Sequence, residues 1–319
     1  LQMTPLPAPG ADDPILKTVI AGLEMSNPVG LAAGLDKNGE ALEGLSRLGF
    51  GAVECGSVTP RAQPGNPKPR LFRLAEDQAV INRMGFNNEG LKPFGARLSR
   101  RPTRTPIGAN LGANKETEDK AADYVIGLKK LAGLADYFTV NISSPNTPGL
   151  RALQGREALD DLLGRIHEAR PADGAPVFLK IAPDLIGDEI GMIVEASLAH
   201  GIDALIVSNT TLERPASLRS AFAGESGGLS GAPLKPFALK ALEAAAEAAN
   251  GRLPLIAVGG IASGEDAFAR IRAGASAVQI YSALIYEGPG LIGRIKRDLA
   301  ARLRAEGFAD MAEATSARR

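Results

Sequence analysis

Cysteine and histidine are nearly absent from this 319-residue chain: Cys55 stands alone, and His167 and His200 are the only imidazoles. A single thiol excludes an internal disulfide and suits a reducing compartment. Neither residue type recurs at metal-ligand spacing. Both histidines fall in predicted helices away from strand ends, so a serine–histidine–aspartate triad has nothing to draw on. Cys55, inside the apolar run GAVECGSV, reads as a small buried hydrophobe rather than a reactive thiol.

Net charge is lacking as well. Lys+Arg and Asp+Glu both number 36, which gives no electrostatic case for nucleic acid or for a polybasic membrane patch. No apolar stretch approaches the roughly 20 residues that span a bilayer. There is no Walker A sequence and no G-x-G-x-x-G after a first strand, so nucleoside triphosphate and Rossmann readings fall away. The Pro-rich start LQMTPLPAPGADDP is unlike a signal or transit peptide. Its first residue is not Met, which predicts a processed or truncated chain.

What is present is a 45% hydrophobic composition, ample for one large core, and a repeated pattern. Eight short apolar runs end in small or polar residues: 27–34, 51–58, 106–112, 137–143, 177–183, 204–210, 254–260 and 277–283. Most lack polar alternation, as strands buried on both faces do. Stretches with helical spacing lie between them. Asp184 and Ser263 sit where N-caps belong, and Gly49, Gly133, Gly201 and Gly251 where helices stop. Strand then helix, eight times over, predicts a single α/β domain, a (β/α)8 TIM barrel. Two additions are expected: an N-terminal hairpin in LKTVIAGLEMS that plugs the barrel bottom, and a hairpin in RLFRLAEDQAVIN inserted between the second and third strands. Residues 1–26 are thus expected to precede a barrel over 27–319.

In such barrels the strand C-termini build the active site. Here Lys37 follows the first strand, Gly56 and Ser57 the second, and Asn110 the third. Asn141 and Ser144 follow the fourth, Ser208, Asn209 and Thr210 the sixth, Gly259 and Gly260 the seventh, and Tyr281 and Ser282 the eighth. Any one of these could serve a turn, but asparagines after three different strands converge on one mouth. Lys180 lies within the apolar run VFLKIAP, where an unpaired ammonium is costly, so it needs an anion or an electron-rich partner. The Gly-rich ends of strands seven and eight suit a phosphate. ESGGLSG, residues 225–231, reads as a further glycine-rich turn or a flexible loop.

The segments LAAGLDKNGEALEGLSRLGFGAVECGSVTP, GNPKPRLFRLAEDQAVINRMGFNN, NISSPNTPGLR, VFLKIAPDL, LIVSNTT, GGLSGAPLK, VGGIASGEDA and AVQIYSALIYEGP together resemble dihydroorotate dehydrogenases of the quinone-dependent class, from about residue 14 to about residue 302. The resemblance implies one non-covalent FMN, oxidation of (S)-dihydroorotate to orotate in pyrimidine biosynthesis, and a membrane quinone as electron acceptor. It implies that Ala33, Gly34, Gly56, Ser57, Asn110, Asn141, Lys180, Ser208, Ser230, Gly231, Gly259, Gly260, Tyr281 and Ser282 surround FMN, the last five at its phosphate end. Lys37, Asn82, Gly85, Phe86, Asn141, Asn146, Asn209 and Thr210 would bind substrate. Ser144 stands where the family has its catalytic base, with Thr147 as proton relay and Phe86 as shield. Arg73 and Tyr281 match quinone-facing positions. No metal is implied.

Serine as base marks the quinone-linked class, since the classes without quinone use cysteine. Leu35 replaces the usual aromatic, and Ser208 and Ser282 replace threonines, as conservative departures. The family's paired amphipathic helices, which lie on the membrane and roof the quinone tunnel, have no counterpart in the roughly 26 residues before strand one. The expectation is a shortened monomer, peripheral to the cytoplasmic side of a bacterial inner membrane, or cytoplasmic if those helices are truly absent. Rival readings are a dihydropyrimidine or dihydrouridine oxidoreductase and a catalytically silent flavin- or orotate-binding protein.

Overall fold

The computed structural model describes residues 10–102, 104–185 and 187–317. The start of the N-terminal segment, residues 1–9, lies outside the described residues. The first structured element is an antiparallel hairpin of β1 (Thr18–Ile20) and β2 (Leu23–Met25). Its alternation decides its place: Ile20 and Met25 are buried, while Val19 is 56% exposed. The buried pair packs on Ala52, Tyr137, Phe178, Ala204, Ile206, Ile256 and Ala277 at the N-terminal ends of barrel strands. The predicted plug therefore closes the bottom of the barrel, each buried side chain contributing about 1.5–3 kcal/mol.

β3 (Val29–Leu31) and β4 (Ala52–Val58) begin the barrel, and β5 (Leu71–Leu74) and β6 (Ala79–Asn82) form the inserted hairpin. The barrel continues with β7 (Ile107–Leu111), β8 (Tyr137–Asn141), β9 (Val177–Ile181) and β10 (Ala204–Val207). After β11 (Gly228–Gly231) it ends with β12 (Leu255–Val258) and β13 (Ala277–Ile280). The eight barrel strands run parallel, and β13 pairs with β3 to close the ring. All eight expected strands are present, and helices flank them as the repeated pattern predicts.

Two expectations need correction. The segment at 225–231 is not a flexible loop. Its β11 pairs antiparallel with β6, giving a three-stranded sheet in the order β11-β6-β5. Glycine is what admits this strand: a Cβ at Gly228 would stand 1.9 Å from Thr210 Oγ1. Asp184 is not a helix cap either. The following helix is Glu189–Ala199, and Asp184 instead accepts hydrogen bonds from Arg151 and Thr211. Ser263 does cap its helix, accepting from Asp266 N at 3.0 Å.

Period-two alternation within the barrel strands places the site. Val177, Leu179 and Ile181 of β9 face the helical layer, while Phe178 packs inside with Tyr137, their rings 4.9 Å apart. One step higher on the same inward face stands Lys180, in register with Asn141 of β8. Glu54, Asn110 and Gln279 are likewise buried on neighbouring strands. The barrel interior thus changes from an aromatic and aliphatic floor to a polar layer just below the C-terminal mouth.

Candidate active site

Above that layer lies a cavity of about 230 Å³. The loop after β3 supplies Ala33, Gly34 and Lys37 to its wall, and β4 supplies Ser57. Among the described residues no acidic partner stands against Lys37. Burial, and the Arg70 guanidinium nearby, push its ammonium down to about 8. Both forces favour losing the proton, so a carboxylate arriving here would restore the charge. Arg70 is itself held by Pro64 O at 2.6 Å and Asn66 O at 2.8 Å.

Lys180 is buried at 4% exposure and opens on the cavity. Among the described residues its Nζ has no hydrogen-bond partner. Desolvation pushes its pKa down, while the negative charge of Glu54 opposes that. A buried ammonium with no direct partner is expensive, which points to an electron-rich group filling the cavity beside it.

Asn110, Asn141 and Asn209 are joined through serines. Ser57 Oγ donates to Asn110 Oδ1. Asn141 Nδ2 donates to Ser57 Oγ at 3.0 Å and to Asn110 Oδ1 at 3.2 Å. Asn141 Oδ1 accepts from Ser143 Oγ at 2.7 Å, and Asn209 Nδ2 donates to that same hydroxyl at 2.8 Å. Ser143 thus supports the turn, as expected, and Ser144 is the serine that lines the cavity.

The loop after β8 is fastened from several sides. Ser144 Oγ accepts from Asn146 N at 3.3 Å. Asn66 Nδ2 donates to Asn146 O at 3.0 Å, and Asn146 Nδ2 to Asn82 Oδ1 at 3.3 Å. Arg151 reaches Ser143 O at 2.9 Å, Thr210 O at 2.9 Å and Asp184 Oδ2 at 2.7 Å, tying the loops after β8 and β10 together. Opposite stand Gly85 and Phe86. Phe86 holds a φ of +51°, a conformation few non-glycine residues keep without support. Gln63 and Asn88 supply it, donating to the Phe86 carbonyl at 3.1 and 2.8 Å. Thr147 is buried behind Ser144's loop, and its Oγ1 has no partner.

The far end of the cavity is a cradle of Ser230, Gly231, Gly259, Gly260, Tyr281 and Ser282. Gly260 has φ +70°, and a Cβ there would stand 2.6 Å from the Lys235 Cα. Ser282 Oγ donates to Ser230 Oγ at 2.8 Å, and Tyr281 OH to Gly34 O at 3.2 Å. Arg270, 2% exposed, braces the turn by donating to Lys235 O and Gly259 O. Such a small-residue, backbone-rich cradle suits a phosphate.

Most of the expected site residues line this one cavity, Ser208, Asn209 and Thr210 included. Gly56, Asn110, Thr147 and Arg73 do not. Asn110 acts from behind Ser57, and Arg73 lies exposed with its guanidinium 5.6 Å from the Tyr286 ring centre. Both histidines are remote: His167 Nδ1 contacts His200 O, and His200 pairs with Asp160. Cys55 is buried against Gly108 O, and its thiol is pushed well up. Residue-level reasoning missed Glu54, Gln63, Asn66, Arg151 and Gln279. A signal existed for Glu54, a charge inside an apolar run like that of Lys180; Gln63, Asn66 and Arg151 sit in loops and carry no such mark.

A closed parallel barrel with these groups gathered at one mouth has the architecture of a barrel enzyme. The family model described as dihydroorotate dehydrogenase matches residues 15–303. The chain belongs to the dihydroorotate dehydrogenase family, in its quinone-dependent class, and is an oxidoreductase. It is 58% identical over 311 residues to the dihydroorotate dehydrogenase (quinone) of Rhodospirillum rubrum, covering 96% of this chain and 85% of that one. The protein of the same description from Xanthobacter autotrophicus is 56% identical over 314 residues, covering 96% and 88%. Ligand-free DHODH from Eimeria tenella superposes with a TM-score of 0.93 at 42% identity, covering 98% of this chain and 94% of that one.

Proposed function

We propose that the chain oxidises (S)-dihydroorotate to orotate with FMN as its cofactor and a membrane quinone as electron acceptor, in pyrimidine biosynthesis. The observation that carries this reading is Lys180, a buried ammonium without a hydrogen-bond partner among the described residues, in register with Asn141 and opening on the same cavity as the glycine cradle. Those groups fit FMN: the cradle of Gly231, Gly259, Gly260 and Ser282 would hold its phosphate, and Lys180 would meet the electron-rich edge of its ring. When bound, FMN supplies the hydride acceptor.

Lys37 binds the substrate carboxylate, and Asn82, Asn146 and Asn209 offer donors and acceptors to its amide edges. An analogue lacking those edges leaves buried polar atoms unpaired and is rejected. Ser144 takes the proton from C5 of dihydroorotate, which the neighbouring carbonyl acidifies. Phe86 shields the site, and as Ser144 takes the C5 proton its own hydrogen leaves either to Thr147, which releases its hydrogen to solvent in turn, or to water. Arg73 and Tyr281 face the quinone. The enzyme works as a monomer at the cytoplasmic face of a bacterial membrane; among the described residues no helix is long and apolar enough to cross one.

Anaerobic addition of dihydroorotate to the flavin-loaded protein tests this: the flavin absorbance bleaches, then returns with quinone but not with fumarate or NAD. A flavin that stays oxidised refutes the substrate, and reoxidation by fumarate or NAD refutes the acceptor.

A further inference from the structure

Glu54 is a buried ionisable group that the chemistry above leaves unused. It sits on β4 with 0% exposure, inside the barrel and below the cavity. Three donors converge on it: Asn110 Nδ2 at 2.7 Å, Gln279 Nε2 at 2.8 Å and Tyr137 OH at 3.4 Å. Burial and the charge of Glu54 push the Tyr137 phenol well up, so that hydroxyl remains a donor.

A carboxylate accepts hydrogen bonds and gives none. That asymmetry propagates. Asn110 must turn its NH2 toward Glu54, which leaves its Oδ1 facing Ser57 and Asn141. Asn141 must then present its NH2 to that oxygen, which leaves its own Oδ1 to accept from Ser143 Oγ. Ser143, having given its proton, accepts from Asn209 Nδ2, and Asn209 Oδ1 is left to take Thr210 N at 2.8 Å. The anchors differ along the chain of amides: backbone N–H groups of Ser143 and Thr210 donate to Asn141 Oδ1 at 3.3 Å and Asn209 Oδ1 at 2.8 Å and hold those two. Asn110 has only side-chain partners among the described residues, and of these only Glu54 cannot donate.

We propose that Glu54 is a positioning residue that fixes the orientation of the Asn110 amide, so that Asn110 Oδ1 meets the NH2 of Asn141 and holds Asn141 where the site presents it to the pyrimidine ring. The proposal rests on the orotate reading above. Glu54 touches neither substrate nor flavin; it acts through a relay of amides. With a neutral amide at position 54, Asn110 can turn either way, and in one of the two orientations its NH2 faces the NH2 of Asn141, which is left without its acceptor and displaced. Leaving even one buried partner unmatched costs about 1–3 kcal/mol, which corresponds to roughly five- to 150-fold in affinity.

The test uses the flavin-loaded enzyme, orotate as probe, and the orotate-induced change in the flavin spectrum as readout, for wild type, E54Q and the double variant E54Q/N110D. The double variant restores an acceptor-only group one link further along, with the amide at 54 now donating to it. The expected result is about tenfold or greater weakening of orotate in E54Q, largely recovered in the double variant although it carries one more change. E54Q that binds orotate within twofold of wild type overturns the proposal. So does a double variant that unfolds, or that binds orotate no better than E54Q. E54Q that unfolds while the double variant folds and binds supports it. A wild-type protein whose flavin spectrum does not respond to orotate would instead overturn the substrate reading, a separate outcome.

Discussion

Lys37 makes orotate affinity depend on pH in a way that follows from its surroundings. An ordinary lysine ammonium titrates near 10.5, and here burial with Arg70 nearby pushes it down to about 8. At about 1.36 kcal/mol per tenfold change in the proton equilibrium, keeping Lys37 charged in the empty site costs about 3 kcal/mol. Burial disfavours the cation, so charge is present below pH 8 and lost above it. A carboxylate ligand binds the charged form and is deprived of it as pH rises. From pH 7 to pH 9 the charged fraction falls roughly tenfold for a pKa near 8. Orotate's dissociation constant therefore stays flat between pH 6.5 and 7.5 and rises about tenfold by pH 9. The assay is spectral titration of the flavin-loaded enzyme with orotate across that range, with Lys37→Met beside it. The variant binds weakly at pH 7 and loses the pH dependence. An affinity in wild type that is unchanged between pH 7 and 9 refutes the reasoning. So does an equal slope in Lys37→Met, which would move the titration to another group such as Lys180.

Three further outcomes follow from the site and the plug. Ser144→Ala slows flavin reduction by dihydroorotate about 10²–10⁴-fold, the usual contribution of a positioned base, with orotate affinity within a few-fold of wild type; rapid-mixing absorbance measures both. Gly260→Ala drives a Cβ toward Lys235 at 2.6 Å from a φ of +70°, so the protein purifies with little flavin. Flavin content per chain after gel filtration checks this. Ile20→Ala, at a position 1% exposed beneath the barrel floor, costs about 2–5 kcal/mol in denaturant unfolding. It leaves flavin content unchanged, because the plug lies at the opposite end of the barrel from the cavity.

The barrel was legible because its strands are buried on both faces and its loops follow helix caps; periodicity and glycine positions are local properties of a sequence. The tips of the strands were legible for the same reason, since a polar residue ending an apolar run is conspicuous, as Asn110, Asn141 and Lys180 are. β11 was not legible. Its glycines look like a flexible turn, and only pairing with β6, about 150 residues earlier, makes them a strand, with Thr210 leaving no room for a side chain at Gly228. Asp184 misled for a related reason: it precedes a helix in sequence, but Arg151, 33 residues away, claims its carboxylate. Arg151, Gln63 and Asn66 were invisible because they fasten loops whose mutual placement exists only after folding. Local chemistry announced the groups that face the cavity, while the groups that hold them are long-range and did not announce themselves.

Thr147 separates chemistry from stability. Its side chain is 4% exposed, and its Oγ1 is buried without a hydrogen-bond partner. A serine that takes a proton at C5 must hand its own hydrogen on; Thr147 Oγ1 is uncommitted, as is Thr210 Oγ1 on the cavity wall, whereas Ser143 is held by Asn141 and Asn209. Thr147→Val keeps the branched shape and removes the hydroxyl. Burying an unpaired hydroxyl costs about 1–3 kcal/mol on protein scales, so its removal leaves the melting temperature equal or higher. If the hydroxyl carries the proton onward, flavin reduction in the same variant slows by at least tenfold, and orotate affinity does not change. A variant both more stable and slower can only have lost a group kept for the reaction. Thr147→Val reducing its flavin at the wild-type rate would show that the proton leaves Ser144 by another route.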